Sequence, residues 1–336
     1  MNILISTCGR DSQKIYFFKE ALGDKGKVFA SNSKMTSTLL KADGYVLTPL
    51  IHDNSYIDFL ITYCQKNNIE AVFSFYEMDM IVLAKNKERF QKHGIAVVVS
   101  DESKIQLCHD KWKCYQFLSS IGLKQPKTYI DVNLLKQDTQ SGLISFPLIF
   151  KPRWGSASFG LYQVDSFDEI DIIRQYIIHK ILNSNFKHES EQDKDFCVLM
   201  QEKLYGQEYG LDVFNDLQGN YITTIPKTKT EMRRGITIFS YVHSNKPFEH
   251  TGKTISQNLK HVGNIGVDCF LTESDDVIVI EINPHFVTHY SFSHLAGAKF
   301  HKQIIEWLSG NPTSEKYTSY ETDVAGYNDD PQVVRF

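Results

Sequence analysis

An open parallel βα domain followed by a larger α+β unit is the fold class this sequence predicts, and three observations carry it. Residues 1–100 alternate short apolar runs with helix-like stretches, which is the pattern of βαβ units and a parallel sheet. Residues 127–204 hold few strands around one long helical pattern. Residues 205–310 string four or five strands together, two of them joined by a short acidic turn, as antiparallel neighbours are.

In the first region the apolar runs are Ile3–Ser6, Val28–Ala30, Ala71–Phe75 and Ala96–Val99. Between them, Ser55–Asn68 sets Ile57, Leu60, Ile61 and Cys64 on one face, and Met78–His93 is closed by Gly94 in the C-cap position. Only Gly9 follows the first strand, in Thr7-Cys8-Gly9-Arg10, so the Gly-x-Gly-x-x-Gly fingerprint is missing and NAD or FAD is not expected. Thr7–Arg10 still faces the crevice that forms at the carboxyl ends of such strands. Glu102–Gly122 reads as helical, and Pro126 opens the next region. There Asp168–Leu182 carries Ile170, Ile173, Tyr176, Ile177 and Ile181 on one face, while the polar run Asn183–Asp195 reads as a surface loop. Cys197–Phe214 reads as two strands with Gly206 at the join. The amphipathic helix His301–Leu308 stops at Gly310 and Pro312, and the polar residues beyond it are expected to be irregular. The resulting boundaries are 1–105 for the parallel domain, 106–204 and 205–310 for two further subdomains, and 311–336 for a tail.

Composition narrows the function. With 336 residues, 42% of them hydrophobic, the chain can bury the cores of two or three domains. A net charge of −4 and no long Lys/Arg run give no expectation of a nucleic-acid partner. No apolar stretch approaches the ~20 residues of a membrane span, and the start lacks a signal-peptide pattern, so a cytoplasmic location is expected. The six cysteines are scattered without a Cys-x-x-Cys pair, as reduced thiols are. Zinc at His285, His289 and His294 is not expected, because no His-Glu-x-x-His pattern or cysteine pair accompanies them.

The residues that carry chemistry come in a particular order. Lys111 stands in His109-Asp110-Lys111-Trp112, before a helical stretch. The apolar strand Phe146–Phe150 ends in Lys151, then a loop of small residues, Gly155, Ser156, Ala157 and Ser158, lets backbone N–H groups approach phosphates. Leu161-Tyr162 occupies the place where a Walker A motif needs Lys-Ser/Thr, so this is not a P-loop. Gln201, Glu202, Lys203 and Leu204 end a strand, and Glu208 follows the Gly206 turn. A basic run holds Lys227, Lys229, Arg233 and Arg234. Finally, Glu281 and Asn283 are two apart on one strand and share a face, with Asp268 on the partner strand. Hard oxygen ligands held this way suit Mg²⁺.

That order of motifs resembles the ATP-grasp superfamily over roughly residues 2 to 310. It is most similar to the branch like the large subunit of carbamoyl phosphate synthase and to stand-alone carboxylate–amine ligases. The resemblance implies a two-subdomain ATP-grasp fold behind the parallel domain, using ATP and Mg²⁺, or Mn²⁺ in its place. It implies small-molecule carboxylate and amine partners, an acyl phosphate between them, and compatibility with a homodimer. By resemblance, Lys111 and Lys151 contact the phosphates under the loop of Gly155, Ser156 and Ser158. Gln201, Glu202, Lys203 and Leu204 match the segment that reads adenine, mostly through its backbone, and Glu208 matches the residue on the ribose. Asp268, Glu281 and Asn283 match the metal ligands. Arg233 or Arg234 matches an arginine that binds phosphate or a substrate carboxylate, and neighbours on a strand point to opposite faces, so one of the two enters the site. Lys151, Asn283 and that arginine would form the catalytic set.

The chain departs from the family pattern twice. Ile236 replaces a glutamate, and His285 replaces an arginine after Asn283-Pro284. His285 and His289 are therefore expected to line the substrate pocket, His285 as a group that titrates near neutrality. Two alternatives stay beside the ligase reading. A bicarbonate-activating enzyme is opposed, as full carbamoyl phosphate synthesis, by the lack of a second Glu-x-Asn-Pro; an ATP-binding protein without catalysis is opposed by the intact Lys151, Glu281 and Asn283.

Overall fold

A computed structural model describes residues 1–336 except Arg10, Ser156, Ala157, Asn185, Gln192, Arg234, Asp330, Pro331 and Phe336, with only the backbone of Asp329 and of 332–335. The first sheet contains β1 (Asn2–Ser6), β2 (Val28–Asn32), β3 (Gly44–Leu47), β4 (Ile69–Ser74) and β5 (Ala96–Val97). They run in the order β3–β2–β1–β4–β5, every pair parallel. Alternation along β1 sends Ile3 and Ile5 into one core and Leu4 into the other, so helices cover both faces. The strand order reverses between β1 and β4, which opens a crevice outside their carboxyl ends.

The second sheet holds β6 (Thr128–Tyr129), β7 (Leu148–Pro152), β8 (Tyr162–Val164) and β9 (Val198–Glu202), ordered β6–β9–β7–β8 and antiparallel. The helix Glu169–Leu182 buries Ile170, Ile177, Ile178 and Ile181 in one core with Leu148, Phe150, Val198 and Met200. The third sheet is built from β10 (Gln207–Asn215), β11 (Tyr221–Thr228), β12 (Glu231–Arg233), β13 (Ile236–Val242), β14 (Asn264–Leu271), β15 (Val277–Asn283), β16 (Val324–Asp329) and β17 (Gln332–Arg335). Its order is β15–β14–β10–β11–β13–β16–β17, with β12 paired to β13. Among the described residues, no helix is long and apolar enough to cross a membrane.

Several elements differ from expectation. The residues after Gly310 are not irregular: a short helix, Glu315–Thr318, leads into β16 and β17, which extend the large sheet at β13. Backbone pairing covers an open strand edge there, whatever the polarity of the side chains. Asn183–Asp195 contains the short helix Lys187–Glu191. The pattern Glu102–Gly122 is two helices, Glu102–His109 and Lys111–Ser120. Asp110 makes the break: its carboxylate accepts the N–H groups of Trp112 and Lys113 as an N-cap. This places Lys111 at a helix start, beside the positive end of the dipole.

Candidate active site

A cleft of about 360 Å³ lies between the second and third sheets. Its walls include Lys111, Lys151, Gly155, Ser158, Gln201, Glu202, Lys203, Leu204, Glu208, Asp268 and Glu281. Residues far apart in the chain thus meet in one cavity.

At one end stand the carboxylates. β14 and β15 pair so that Asp268 faces Glu281 and Gly266 faces Asn283, with a register shift just after Asp268. Asn283 Nδ2 lies 3.5 Å from Asp268 Oδ2. Among the described residues no group of three His, Cys, Asp or Glu is placed to hold a metal ion. Two carboxylates and an amide oxygen on paired strands do fit Mg²⁺, which takes few protein ligands and shares the rest with phosphates.

Lysines reach into the same end. Lys111 Nζ is 3.1 Å from Glu281 Oε2 and donates to Gly155 O at 2.8 Å. Lys229 Nζ lies 2.6 Å from Asp268 Oδ1 and 2.8 Å from Glu208 Oε1. Burial pushes Glu281 up, but Lys111 and Lys151 outweigh it and hold the carboxyl at about 2. Asp268 is raised, because burial, reinforced by Glu281, outweighs Lys229. Burial lowers Lys151, and Lys111 nearby lowers it further, whereas Lys111 is raised by Glu281 and Glu77 against its own burial. Lys111 is thus paired with Glu281, and Lys229 with Asp268 and Glu208, while Lys151 adds its positive charge close to Glu281. A polyphosphate with its cation is the kind of ligand that satisfies both signs at once.

On the other side of the cleft, the side chains of 201–203 are committed to the protein. Gln201 Nε2 donates to Thr128 Oγ1 at 2.8 Å, Glu202 Oε1 accepts the Lys127 N–H at 2.8 Å, and Lys203 Nζ donates to Gln163 Oε1 at 2.8 Å. A ligand there meets their main chain, as a nucleobase edge would require.

Other expected residues are elsewhere. Arg233 is exposed on β12 and does not line the cleft; its neighbour Met232 does, since alternate residues of a strand take opposite faces. Arg234 and Ser156 lie outside the described residues. His285 occupies a separate small cavity with Phe73, Ser74 and Phe75 of the parallel domain, its Nδ1 3.0 Å from Phe286 O. Burial, then Lys14, lowers its pKa from the ordinary histidine value, against the pull of Glu77. His289 is 4% exposed and its ring nitrogens have no hydrogen-bond partner. It packs over Gly210, where an added Cβ would stand 2.6 Å from the ring, and lies 3.9 Å from Asp268 and 4.0 Å from Asp212. It is wall behind the carboxylates and does not line the cleft.

Lys229 is the cleft residue that the motif order does not single out. Lys227 and Lys229 share a face by alternation, yet Lys227 is sealed in a pair with Asp212 while Lys229 emerges past the strand end. Asp212 also accepts from Ser293 Oγ at 2.5 Å and Asn264 Nδ2 at 2.8 Å, tying β10, β11, β14 and the helix Tyr290–Leu295 together behind the site.

Residues 3–98 match the family model of the PylC-like N-terminal domain, and residues 108–289, more than half the chain, match that of the ATP-grasp domain. The vancomycin/teicoplanin A-type resistance protein VanA of Enterococcus faecium is 23% identical over 234 residues, a match spanning 62% of this chain and 62% of that protein. The L-amino acid ligase from Bacillus licheniformis superposes with a TM-score of 0.73 at 17% identity, over 98% of this chain and 81% of that one. The biotin carboxylase domain of Hydrogenobacter thermophilus 2-oxoglutarate carboxylase, in complex with MgADP and bicarbonate, gives 0.73 at 12% identity, over 97% and 73%. At such identities the likeness to the solved structures is one of fold.

Proposed function

Because the chain belongs to the ATP-grasp family of ligases, we propose that it is an ATP- and Mg²⁺-dependent carboxylate–amine ligase. It would form an amide through an acyl phosphate and release ADP and phosphate. The observation that carries this reading is the convergence of Lys111, Lys151 and Lys229 on Asp268 and Glu281 at one end of a nucleotide-sized cleft. The chemical difficulty is electrostatic, since a carboxylate must approach a triphosphate.

In this reading the backbone of 201–204 and the Glu208 carboxylate orient the nucleoside. Lys111, Lys151 and Lys229 neutralise the phosphate oxygens, and the small-residue loop after Lys151 covers them. Asp268, Glu281 and Asn283 would hold the magnesium, which when bound adds charge neutralisation at the transferring phosphoryl group. The substrate carboxylate oxygen attacks the γ-phosphorus and ADP leaves. The amine then attacks the acyl carbon and phosphate leaves. Enclosure between the two sheets keeps water from hydrolysing the acyl phosphate.

The test is ADP release measured over a matrix of small carboxylates, bicarbonate included, against amines. A signal that needs one member of each class supports the reading. A signal with bicarbonate alone points to a carboxylating enzyme, and release that ignores both substrates opposes it.

A further inference from the structure

A carboxylate assigned above to the metal and one assigned to the ribose share a single protein cation. Lys229 Nζ lies 2.6 Å from Asp268 Oδ1 and 2.8 Å from Glu208 Oε1. The sheet register places it there. The Lys229 N–H donates to Glu208 O at 2.9 Å just past the end of β11, and Gly210, two residues along β10 from Glu208, pairs with Asp268 on β14. Period-two alternation therefore puts Glu208 and Asp268 on one face, within reach of the same ammonium.

Lys111, the lysine on Glu281, is held differently. Its Nζ also donates to Gly155 O at 2.8 Å, a backbone anchor on the cleft wall. Lys229 instead touches two carboxylates that each have another partner in the nucleotide complex. Magnesium takes carboxylate oxygens at about 2.0–2.1 Å. With the ammonium on the same oxygen, the two cations would stand no more than about 5 Å apart and repel each other. A triphosphate removes the conflict, because its oxygens can accept the ammonium and also complete the coordination of the metal. The flexible four-carbon stem of a lysine permits that change of partner.

We propose that Lys229 is a stand-in cation that keeps Asp268 from holding a metal ion until nucleotide arrives. The inference rests on the metal and nucleotide assignments of the ligase reading. Without nucleotide, the ammonium neutralises Asp268 and Glu208 together. When the triphosphate binds, the ammonium passes to its oxygens, Glu208 turns to the ribose hydroxyls, and Asp268 is freed for the metal. One side chain thereby couples the ribose end of the cleft to the metal end.

The test is Mn²⁺ binding to nucleotide-free protein, followed through the electron paramagnetic resonance signal of the free ion. Mn²⁺ accepts the oxygen ligands that suit Mg²⁺, and pH 8 keeps the measurement far above the ordinary carboxylate range. Removing a like charge a few ångströms away should tighten binding by about tenfold or more, so Lys229→Met should exceed wild type by that factor. Lys229→Arg, which keeps the charge, should bind as weakly as wild type. Adding Glu281→Gln to Lys229→Met should abolish the gain. Equal affinity in wild type and Lys229→Met, a matching gain in Lys229→Arg, or a gain that survives Glu281→Gln would each overturn the role of Lys229. If Lys229→Met does not fold, Lys229→Gln, which keeps a donor without the charge, takes its place. Binding of MnADP and MnATP to wild type tests the underlying site. A wild type that binds neither contradicts the metal and nucleotide assignments themselves, which is a different result.

Discussion

Asp268 stands directly across from Glu281 in the ladder between β14 and β15, and each carboxylate is met by a different lysine, Lys229 and Lys111. Under the proposed reading, the pairing would make a divalent-cation site from two strands that also form part of the core. Glu281→Gln keeps the shape and removes one charged oxygen. Turnover should fall by about 10²-fold or more, as it does when an electrostatic contact to the transition state is lost. The magnesium dependence should shift to higher concentration. Lys203→Ala should change both little, because that side chain bonds Gln163 at the rim. Activity against magnesium concentration measures both, and an unaltered curve for Glu281→Gln removes it from the ligand set.

Lys151 is a cation held in a buried place, with its pKa lowered first by burial and then by Lys111. A phosphate anion restores the balance. Lys151→Ala should raise the Kd for MgATP about tenfold, the cost of a charge-assisted bond of roughly 1.5 kcal/mol, while the denaturation midpoint stays near that of wild type. Unchanged affinity in a folded variant contradicts the assignment.

The Lys227–Asp212 pair is fully buried, and Lys227 Nζ also donates to Ser293 Oγ at 2.8 Å and Ile225 O at 3.1 Å. Lys227→Met leaves Asp212 charged without its partner and should cost about 3–5 kcal/mol. Adding Asp212→Leu should cost less than the sum of the single changes by about 1–3 kcal/mol. Urea denaturation of the three variants reads this coupling; strict additivity denies it.

His261 is 1% exposed, with Nε2 3.0 Å from Val213 O, and burial holds its pKa at about 3. An unfolded histidine titrates near ~6.5, so the unfolded chain binds a proton that the folded chain refuses between those values. The group's contribution to stability is intact above pH ~6.5 and is lost as pH falls toward 3, by about 2 kcal/mol at pH 5. His261→Gln should flatten that part of the stability profile. Parallel profiles for the two proteins between pH 7 and 5 rule this out.

Much of this arrangement is legible in the chain. Period-two spacing puts Glu281 and Asn283 on one face, and a short acidic turn brings Asp268 across from them. Lys111 and Lys151 stand out by the order of motifs around them. Lys229 and Arg233 are harder to separate, since which residues of the basic run meet the cleft depends on register across β10, β11 and β14. The Glu77–His109 contact joins residues 32 apart in sequence through the packing of two helices, so no local pattern announces it. The strands β16 and β17 are hidden by polar composition, because backbone hydrogen bonding at an open edge drives their pairing.

The central claim is that the substrate carboxylate is phosphorylated, and an oxygen label follows that atom directly. A carboxylate that supports ADP release is supplied with ¹⁸O in both carboxyl oxygens, together with unlabelled MgATP and its amine. Mass spectrometry of the phosphate released then counts the label. An acyl phosphate intermediate transfers one ¹⁸O to each phosphate formed in amide synthesis. Phosphate that carries no label, alongside normal amide yield, would mean that the carboxylate oxygen never reached phosphorus, and would contradict an acyl phosphate intermediate outright.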